Sequence, residues 1–361
     1  MQPKKNSRIA LNYKTYSTED IIIRMKENKP FKILSIDGGG IKGLYSASIL
    51  KRLEEKSKKK SGDCFDMICG TSTGGIIALG LASGKEASDL VDLYNLNGNK
   101  IFPTAKYKIC RFFQKRWNGT KQVLFWGKFS AKPLTRILKE TFGTKTLGEL
   151  NNLVCIPSFN LISGIPRVFK FPHKEGDFSM DKEIPLVDAA LASSAAPTYL
   201  PVHSYKDNLY IDGGVWANNP TQCGLLEALD YFVGTGKDFT HVEILSIASI
   251  SQSGGWTSGV RRRRSFIGWK SKLIQTSMDG QAFFADFFLK KALIKIDARS
   301  KYVRLKSPKL SCEQMEVLEM DRTDKKALKT LRALGDQDGY THANSAKVMR
   351  FFETTKTYKT N

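Results

Sequence analysis

Short unbroken apolar runs alternate along the chain with longer stretches in which apolar residues recur every three or four positions. Residues 31–36, 65–69 and 154–157 are runs of the first kind, and they read as strands. A fourth short strand, at 209–212, ends in a carboxylate and two glycines. Leu44, Ala47, Leu50 and Leu53 mark one face of a helix over about 44–58. A small-residue helix over 188–196 stops at Pro197, and two closing helices are predicted over 324–334 and 343–352. The run Ala282-Phe283-Phe284-Ala285-Asp286-Phe287-Phe288-Leu289 predicts a heavily apolar helix, read as core or dimer surface in preference to a membrane anchor. Strands alternating with helices suit a single large α/β domain.

The junctions between these elements carry the chemistry. Phe65-Asp66-Met67-Ile68-Cys69 runs into Gly70-Thr71-Ser72-Thr73-Gly74 and then an apolar helix, the strand–turn–helix setting of a Gly-x-Ser-x-Gly nucleophile elbow. By itself the pentapeptide is equally a structural turn. The first strand runs into Asp37-Gly38-Gly39-Gly40-Ile41-Lys42-Gly43, whose successive backbone N–H groups form an anion nest at a helix start. Gly38, Gly40 and Gly43 also fit a dinucleotide-loop spacing, but no strand-ending acidic residue follows about 20 positions on. Asp37 is expected to shape the glycine turn. The third junction is Asp212-Gly213-Gly214, followed by Asn218-Asn219-Pro220, which predicts a helix with an Asn N-cap and Pro at its first position.

Charge changes the picture. The 361 residues carry 57 Lys or Arg against 35 Asp or Glu, a formal net charge of +22, which favours polyanionic partners over neutral ones. Between Leu93 and Lys139 no acidic residue appears, while eleven Lys or Arg are interleaved with aromatics. Three readings of that segment stay open: a lipid interface, a nucleotide-stacking surface, or core aromatics with solvated charges. A second acid-free stretch, 244–278, contains Arg261-Arg262-Arg263-Arg264, a basic loop over the site or an anion sensor. No nucleic-acid reader motif accompanies the charge, so no nucleic-acid polymer is expected as partner. The six cysteines form no CxxC pair or Cys/His cluster, which argues against a metal site and a disulfide framework and for buried thiols. No apolar segment approaches the roughly 20 residues of a spanning helix, and the N-terminus has no apolar signal region. The expectation is a cytoplasmic protein with any membrane contact peripheral.

Taken in order, Asp-Gly-Gly-Gly-x-Lys-Gly, Gly-x-Ser-x-Gly and Asp-Gly-Gly resemble the patatin-like phospholipase family, serine lipid acyl hydrolases with a Ser–Asp dyad. Ser194-Ala195-Ala196-Pro197, Gly213-Gly214-Val215-Trp216-Ala217-Asn218-Asn219-Pro220 and Leu147-Gly148-Glu149-Leu150 extend the resemblance. It covers roughly residues 31–250 and implies a three-layer α/β/α fold around a mostly parallel sheet. Residues 31–361 are then one patatin-like domain, with core motifs in 31–250 and a helical part over 265–361, preceded by an extension over 1–30. The resemblance further implies Ser72 as nucleophile, Asp212 as its base, and the N–H groups of Gly38, Gly39 and Gly40 as the oxyanion hole. Lys42 holds the position usually basic in the family, as phosphate or loop support. None of His173, His203, His241 or His342 lies in a supporting motif, so a dyad is expected and not a triad.

The implied activity is phospholipase A-type cleavage of membrane phospholipids, without metal or resident cofactor. Length and charge resemble the bacterial branch whose members are effectors of antiphage signalling. That likeness implies action at the inner face of the cell membrane and activation by a cyclic dinucleotide such as cyclic GMP-AMP, with self-association into a homo-oligomer left open. The competing reading is a non-enzymatic lipid- or nucleotide-binding module on a hydrolase frame.

Overall fold

A computed structural model describes residues 29–103, 128–174, 179–251 and 271–360. The two basic stretches singled out above fall largely in 104–127 and 252–270, outside the described residues, as does the extension before residue 29. In chain order, β1 (Pro30–Ile36) and α1 (Gly43–Ser57) are followed by β2 (Met67–Gly70), α2 (Thr73–Ala82) and α3 (Ala87–Ile101). Next come α4 (Lys132–Phe142), β3 (Leu153–Asn160), β4 (Ile165–Lys170), α5 (Leu186–Ser194), β5 (His203–Tyr205) and β6 (Asn208–Asp212). The short α6 (Gly214–Ala217), α7 (Thr221–Glu227), β7 (His241–Ile247), α8 (Ser271–Ile296) and β8 (Lys301–Leu305) lead to α9 (Lys325–Ala343) and α10 (Ala346–Glu353).

The strands form one sheet in the order β5-β6-β3-β2-β1-β7-β8, with β4 also paired to β3. β3, β2, β1, β7 and β8 run parallel, while β4 and β6 run antiparallel to β3. The strand path leaves β1 on one side to β2 and returns on its other side as β7, the kind of reversal that opens a crevice at the carboxyl ends of parallel strands. Phe31, Ile33, Leu34, Ile36 and Ile68 are fully buried, as expected for strands covered on both faces. On one face α7 lies so close that a Cβ built on Gly224 would stand 2.5 Å from Cys69 Sγ and 3.3 Å from Ile33. On the other, a Cβ on Gly75 of α2 would stand 3.3 Å from Ile156. This is the three-layer α/β/α arrangement around a largely parallel sheet that the motifs imply.

Register sets the site. Cys69 of β2 pairs with Cys155 of β3, and Ser158 of β3 pairs with Asp212 of β6. β2 ends at Gly70, and the turn after it brings the Ser72 N–H to Ser193 Oγ, which bonds the Pro157 carbonyl of β3 beside Ser158, the partner of Asp212.

The closing helices form as predicted, with α9 extended to Ala343 and capped by the Asp324 carboxylate, which accepts from the Lys326 and Ala327 N–H groups. Cys64, Cys69, Cys155 and Cys223 are free thiols, the first three buried. Two expectations are corrected. Pro220 stands at the N-cap of α7 and not at its first position; Asn219 Oδ1 accepts from the Thr221 N–H at 3.1 Å, so the capping side chain precedes the proline. The apolar run at 282–289 is core along one stripe alone: Ala285 and Leu289 are buried, while Phe283 is 74% and Phe284 59% exposed. No helix among the described residues is long and apolar enough to cross a membrane.

Candidate active site

Ser72 sits between β2 and α2 with φ 55° and ψ −123°, a left-handed backbone that costs a non-glycine residue about 1–3 kcal/mol. The turn is possible because Gly70 and Gly74 have no side chain. A Cβ on Gly70 would stand 2.1 Å from the Gly74 carbonyl oxygen, and one on Gly74 would stand 2.4 Å from the Ile36 carbonyl oxygen. Thr71 pins the turn from below by donating its hydroxyl to the Ala217 carbonyl at 2.6 Å.

The end of α5 ties the two halves of the site together. Ser193 Oγ accepts from the Ser72 N–H at 2.9 Å and donates to the Pro157 carbonyl at 2.6 Å. The Asp212 N–H donates to the Ala195 carbonyl at 3.0 Å, and the Gly213 N–H to the Ser193 carbonyl at 3.3 Å. The small-residue helix ended by Pro197 thus packs against the crowded site, as its composition suggests.

Asp212 is 4% exposed, and its Oδ1 accepts from the Gly214 N–H at 2.7 Å. Burial pushes its pKa up to about 6, against the opposing hydrogen bonds from the Gly214 N–H and the Ser72 side chain. No histidine among the described residues approaches this pair: His173 bonds Glu227 at 2.7 Å and His203 bonds Asp188 at 3.0 Å.

The glycine loop lies directly over Ser72. A Cβ on Gly38 would stand 3.3 Å from Ser72 Cβ and 2.7 Å from Asn218 Oδ1. The Gly38 N–H donates to the Asn218 carbonyl at 3.1 Å. Among the described residues, the Gly39 and Gly40 N–H groups have no such acceptor. Gly40 has φ 61°, and a Cβ there would stand 2.3 Å from the Met320 carbonyl oxygen, so this position admits only glycine. Lys42 is buried, and its Nζ donates to the Ile250 carbonyl at 2.9 Å. Burial pushes its pKa down to about 8, partly offset by the charge of Asp279.

Two partners of the site escaped the sequence reading. Asp37, expected only to shape the turn, is held by both terminal nitrogens of Arg304 from β8, one at 3.1 Å, with both side chains buried. Burial disfavours the Arg304 charge, but the charge and hydrogen bonds of Asp37 outweigh that and hold its pKa above the ordinary value. Arg304 also donates to Ser246 Oγ at 2.6 Å. Asn218 is the second, since its carbonyl fixes Gly38 while its buried Oδ1 has no partner. No local signal could have marked Arg304, which lies 267 positions from Asp37.

An apolar cavity opens beside Ser72, lined by Ile76, Leu93, Phe102, Leu134, Leu200 and Met320, with Thr73 and Ser194 at its polar end. Thr73 Oγ1 and Ser194 Oγ are buried without partners. Its open volume is about 40 Å³, room for a few waters.

A positive-φ serine after a parallel strand, a buried carboxyl beside it and a glycine loop over both have the layout of a hydrolase of α/β architecture. The profile of the patatin-like phospholipase family matches residues 34–223. The chain belongs to that family and is a lipid acyl hydrolase of its kind. It is similar to a cGAMP-activated phospholipase of Vibrio cholerae, at 33% identity over 85% of this chain and 89% of that one. A cGAMP-activated phospholipase of Escherichia coli is 33% identical over 89% of this chain and 92% of its own length. Patatin-like protein 2 of Oryza sativa is 32% identical over 58% of this chain and 56% of its own.

Proposed function

We propose that the chain cleaves acyl esters of membrane phospholipids through a Ser72–Asp212 dyad and is switched on by a cyclic dinucleotide of the cyclic GMP-AMP kind. The observation that carries the chemistry is the buried Asp212 carboxyl bonded to the Ser72 side chain with a pKa pushed up to about 6. A carboxylate poised near neutrality can take the hydroxyl proton as Ser72 Oγ attacks the ester carbonyl carbon. The oxyanion of the tetrahedral adduct is met by the N–H groups of Gly39 and Gly40, while the Gly38 N–H holds the loop through Asn218. The adduct collapses with loss of the lysophospholipid alkoxide, which takes the proton from Asp212, leaving an acyl–Ser72 ester. Water then attacks that ester, Asp212 accepts its proton, and the fatty acid leaves as the Ser72 hydroxyl is restored.

The apolar cavity suits the acyl chain, and the unpartnered hydroxyls of Thr73 and Ser194 suit the ester oxygens. Its small open volume means that an acyl chain must widen it, which fits an enzyme held inactive until a ligand binds. Lys42, bonded to the Ile250 carbonyl, supports the loop in this reading. Activation is supported by the relatives that carry cyclic GMP-AMP activation in their names and by the +22 charge, which suits a dianionic ligand. An enzyme of this kind would act from the cytoplasm on the inner face of the cell membrane, in antiphage defence.

The test is fatty-acid release from vesicles of phosphatidylethanolamine and phosphatidylglycerol, with and without cyclic GMP-AMP. Release is expected to rise at least about tenfold with the nucleotide, within the span of ordinary coupling energies. Equal release in both arms would remove the activator from the proposal and leave the hydrolase.

The pH profile follows from Asp212. The carboxylate is the working form, so kcat/KM for a soluble short-chain ester is expected to be high above pH 6. It should fall about tenfold per unit below that value. A profile flat from pH 5 to 8 would show that the pKa of the base is not raised to about 6.

A further inference from the structure

We infer that α8 is the face by which the protein docks on an anionic phospholipid bilayer, its outward phenylalanines inserted among the lipids and its lysines on the headgroups. The inference rests on the reading of the site as a phospholipid hydrolase.

The helix is two-sided in a particular way. Met278, Ala285, Leu289 and Leu293 are buried, at 8%, 0%, 1% and 2% exposure. These positions fall within one arc at 100° per residue and pack on the protein. The opposite arc is also apolar. Phe283, Phe284, Phe287 and Ile294 are 74%, 59%, 52% and 61% exposed, and Phe288 flanks them. Single exposed apolar residues are ordinary on a soluble surface, but four phenylalanines within six positions form a contiguous patch. A helix that is apolar on its outer face has not reached its final environment.

Charge selects the occupant. Lys290, Lys291 and Lys295 follow the phenylalanines on the same helix, and the acidic residue beside them, Asp286, is paired with Lys290. Rings at headgroup depth with lysines beside them match an anionic lipid surface. A second copy of the chain would bring the same lysines against one another on a protein of net charge +22. The helix lies on the bilayer and does not cross it, since its other face is buried in the protein.

The same helix reaches the site. Gln281 Oε1 accepts from the Asn219 N–H at 2.9 Å. The Met278 methyl lies 3.0 Å from where a Cβ on Gly214 would be, beside the Asp212 carboxyl. Docking through α8 therefore fixes the catalytic wall relative to the lipid surface.

The experiment uses the full chain with Ser72→Ala, so that lipids stay intact, sedimented with vesicles of phosphatidylethanolamine and phosphatidylglycerol, with and without cyclic GMP-AMP. The parent is expected to partition onto these vesicles and much less onto phosphatidylcholine. Phe283→Ser/Phe287→Ser should lower partitioning at least about tenfold, and Lys291→Glu/Lys295→Glu should lower it in a salt-dependent way. With Ser72 intact, both double variants should hydrolyse a soluble short-chain ester within twofold of the parent, which also shows that they fold. Vesicle partitioning unchanged in both variants, or absent in the parent, overturns the docking face. So does a parent dimer that becomes monomeric in Phe283→Ser/Phe287→Ser with partitioning unchanged, which would make the face a contact between copies. Soluble-ester hydrolysis that survives Ser72→Ala would instead overturn the hydrolase site, independently of where α8 docks.

Discussion

Ser72→Ala is expected to lower kcat/KM for a soluble ester by at least about 10⁴-fold, with the thermal unfolding midpoint unchanged or slightly raised. In the proposed mechanism the serine oxygen is the atom that forms the acyl bond, and no neighbouring side chain replaces it. Thr71 and Thr73 flank it, but the Thr71 hydroxyl is donated to the Ala217 carbonyl and Thr73 belongs to the first turn of α2. Asp212→Asn is expected to cause a loss of similar order, because an amide cannot accept the hydroxyl proton. The two losses should not add in the double variant, since the residues act as a unit. Near-additive effects, or an Asp212→Asn enzyme with more than a tenth of parent activity, would break the dyad. The unfolding midpoint is the control: Ser72 holds a strained backbone whether or not its hydroxyl is present, so alanine at this position keeps the turn.

Arg304→Met is expected to cost about 3–5 kcal/mol of unfolding free energy, because it leaves the Asp37 carboxylate buried without its counter-ion. Against a total of roughly 5–15 kcal/mol for a folded domain, that is a large fraction. Urea unfolding of parent and variant measures it directly. Adding Asp37→Asn to Arg304→Met is expected to recover at least about 1 kcal/mol, since the uncompensated charge is then gone. The same pair anchors the loop that begins at Asp37. Its N–H also donates to the Ile247 carbonyl at 3.1 Å, so Arg304 braces the glycine loop from two strands away. In any Arg304→Met protein that remains folded, kcat should fall more than KM rises, as the proposed role of the glycine loop in holding the oxyanion requires. A variant as stable as the parent would mean that Asp37 takes up a proton or that water reaches the pair.

Much of the site was legible because it is local. Gly70 is needed by the backbone of its own turn, at the Gly74 carbonyl, although Gly74 is needed by the Ile36 carbonyl at the end of β1. A strand, a tight glycine turn and a helix start are all written within about a dozen positions. The same holds for Asp212-Gly213-Gly214, where Gly214 supplies an N–H to the carboxylate two residues before it. Free, buried thiols at Cys64, Cys69 and Cys155 followed from spacings that suit neither a metal nor a disulfide framework.

Where the reading stopped, the deciding contact came from far along the chain. Asp37 looks like a turn residue until Arg304 arrives from β8, and Lys42 looks like an open cation until its Nζ is found on the Ile250 carbonyl. All three glycines at 38–40 look alike as donors. Only the approach of Asn218 takes the Gly38 N–H and leaves those of Gly39 and Gly40. The 282–289 run predicts a helix correctly, yet composition cannot say which arc meets the protein when both arcs are apolar. Packing of Met278, Ala285, Leu289 and Leu293 decides that, and turns the phenylalanines outward.

By itself, then, the amino-acid order determined the elements, the family and the residues at each strand end, because turns and strand–helix junctions are resolved by neighbours in the chain. The tertiary structure alone decided which donors stay open, which charges are paired and which helix face is exposed. Those depend on burial and on partners, such as Arg304 to Asp37, that only the folded sheet brings together.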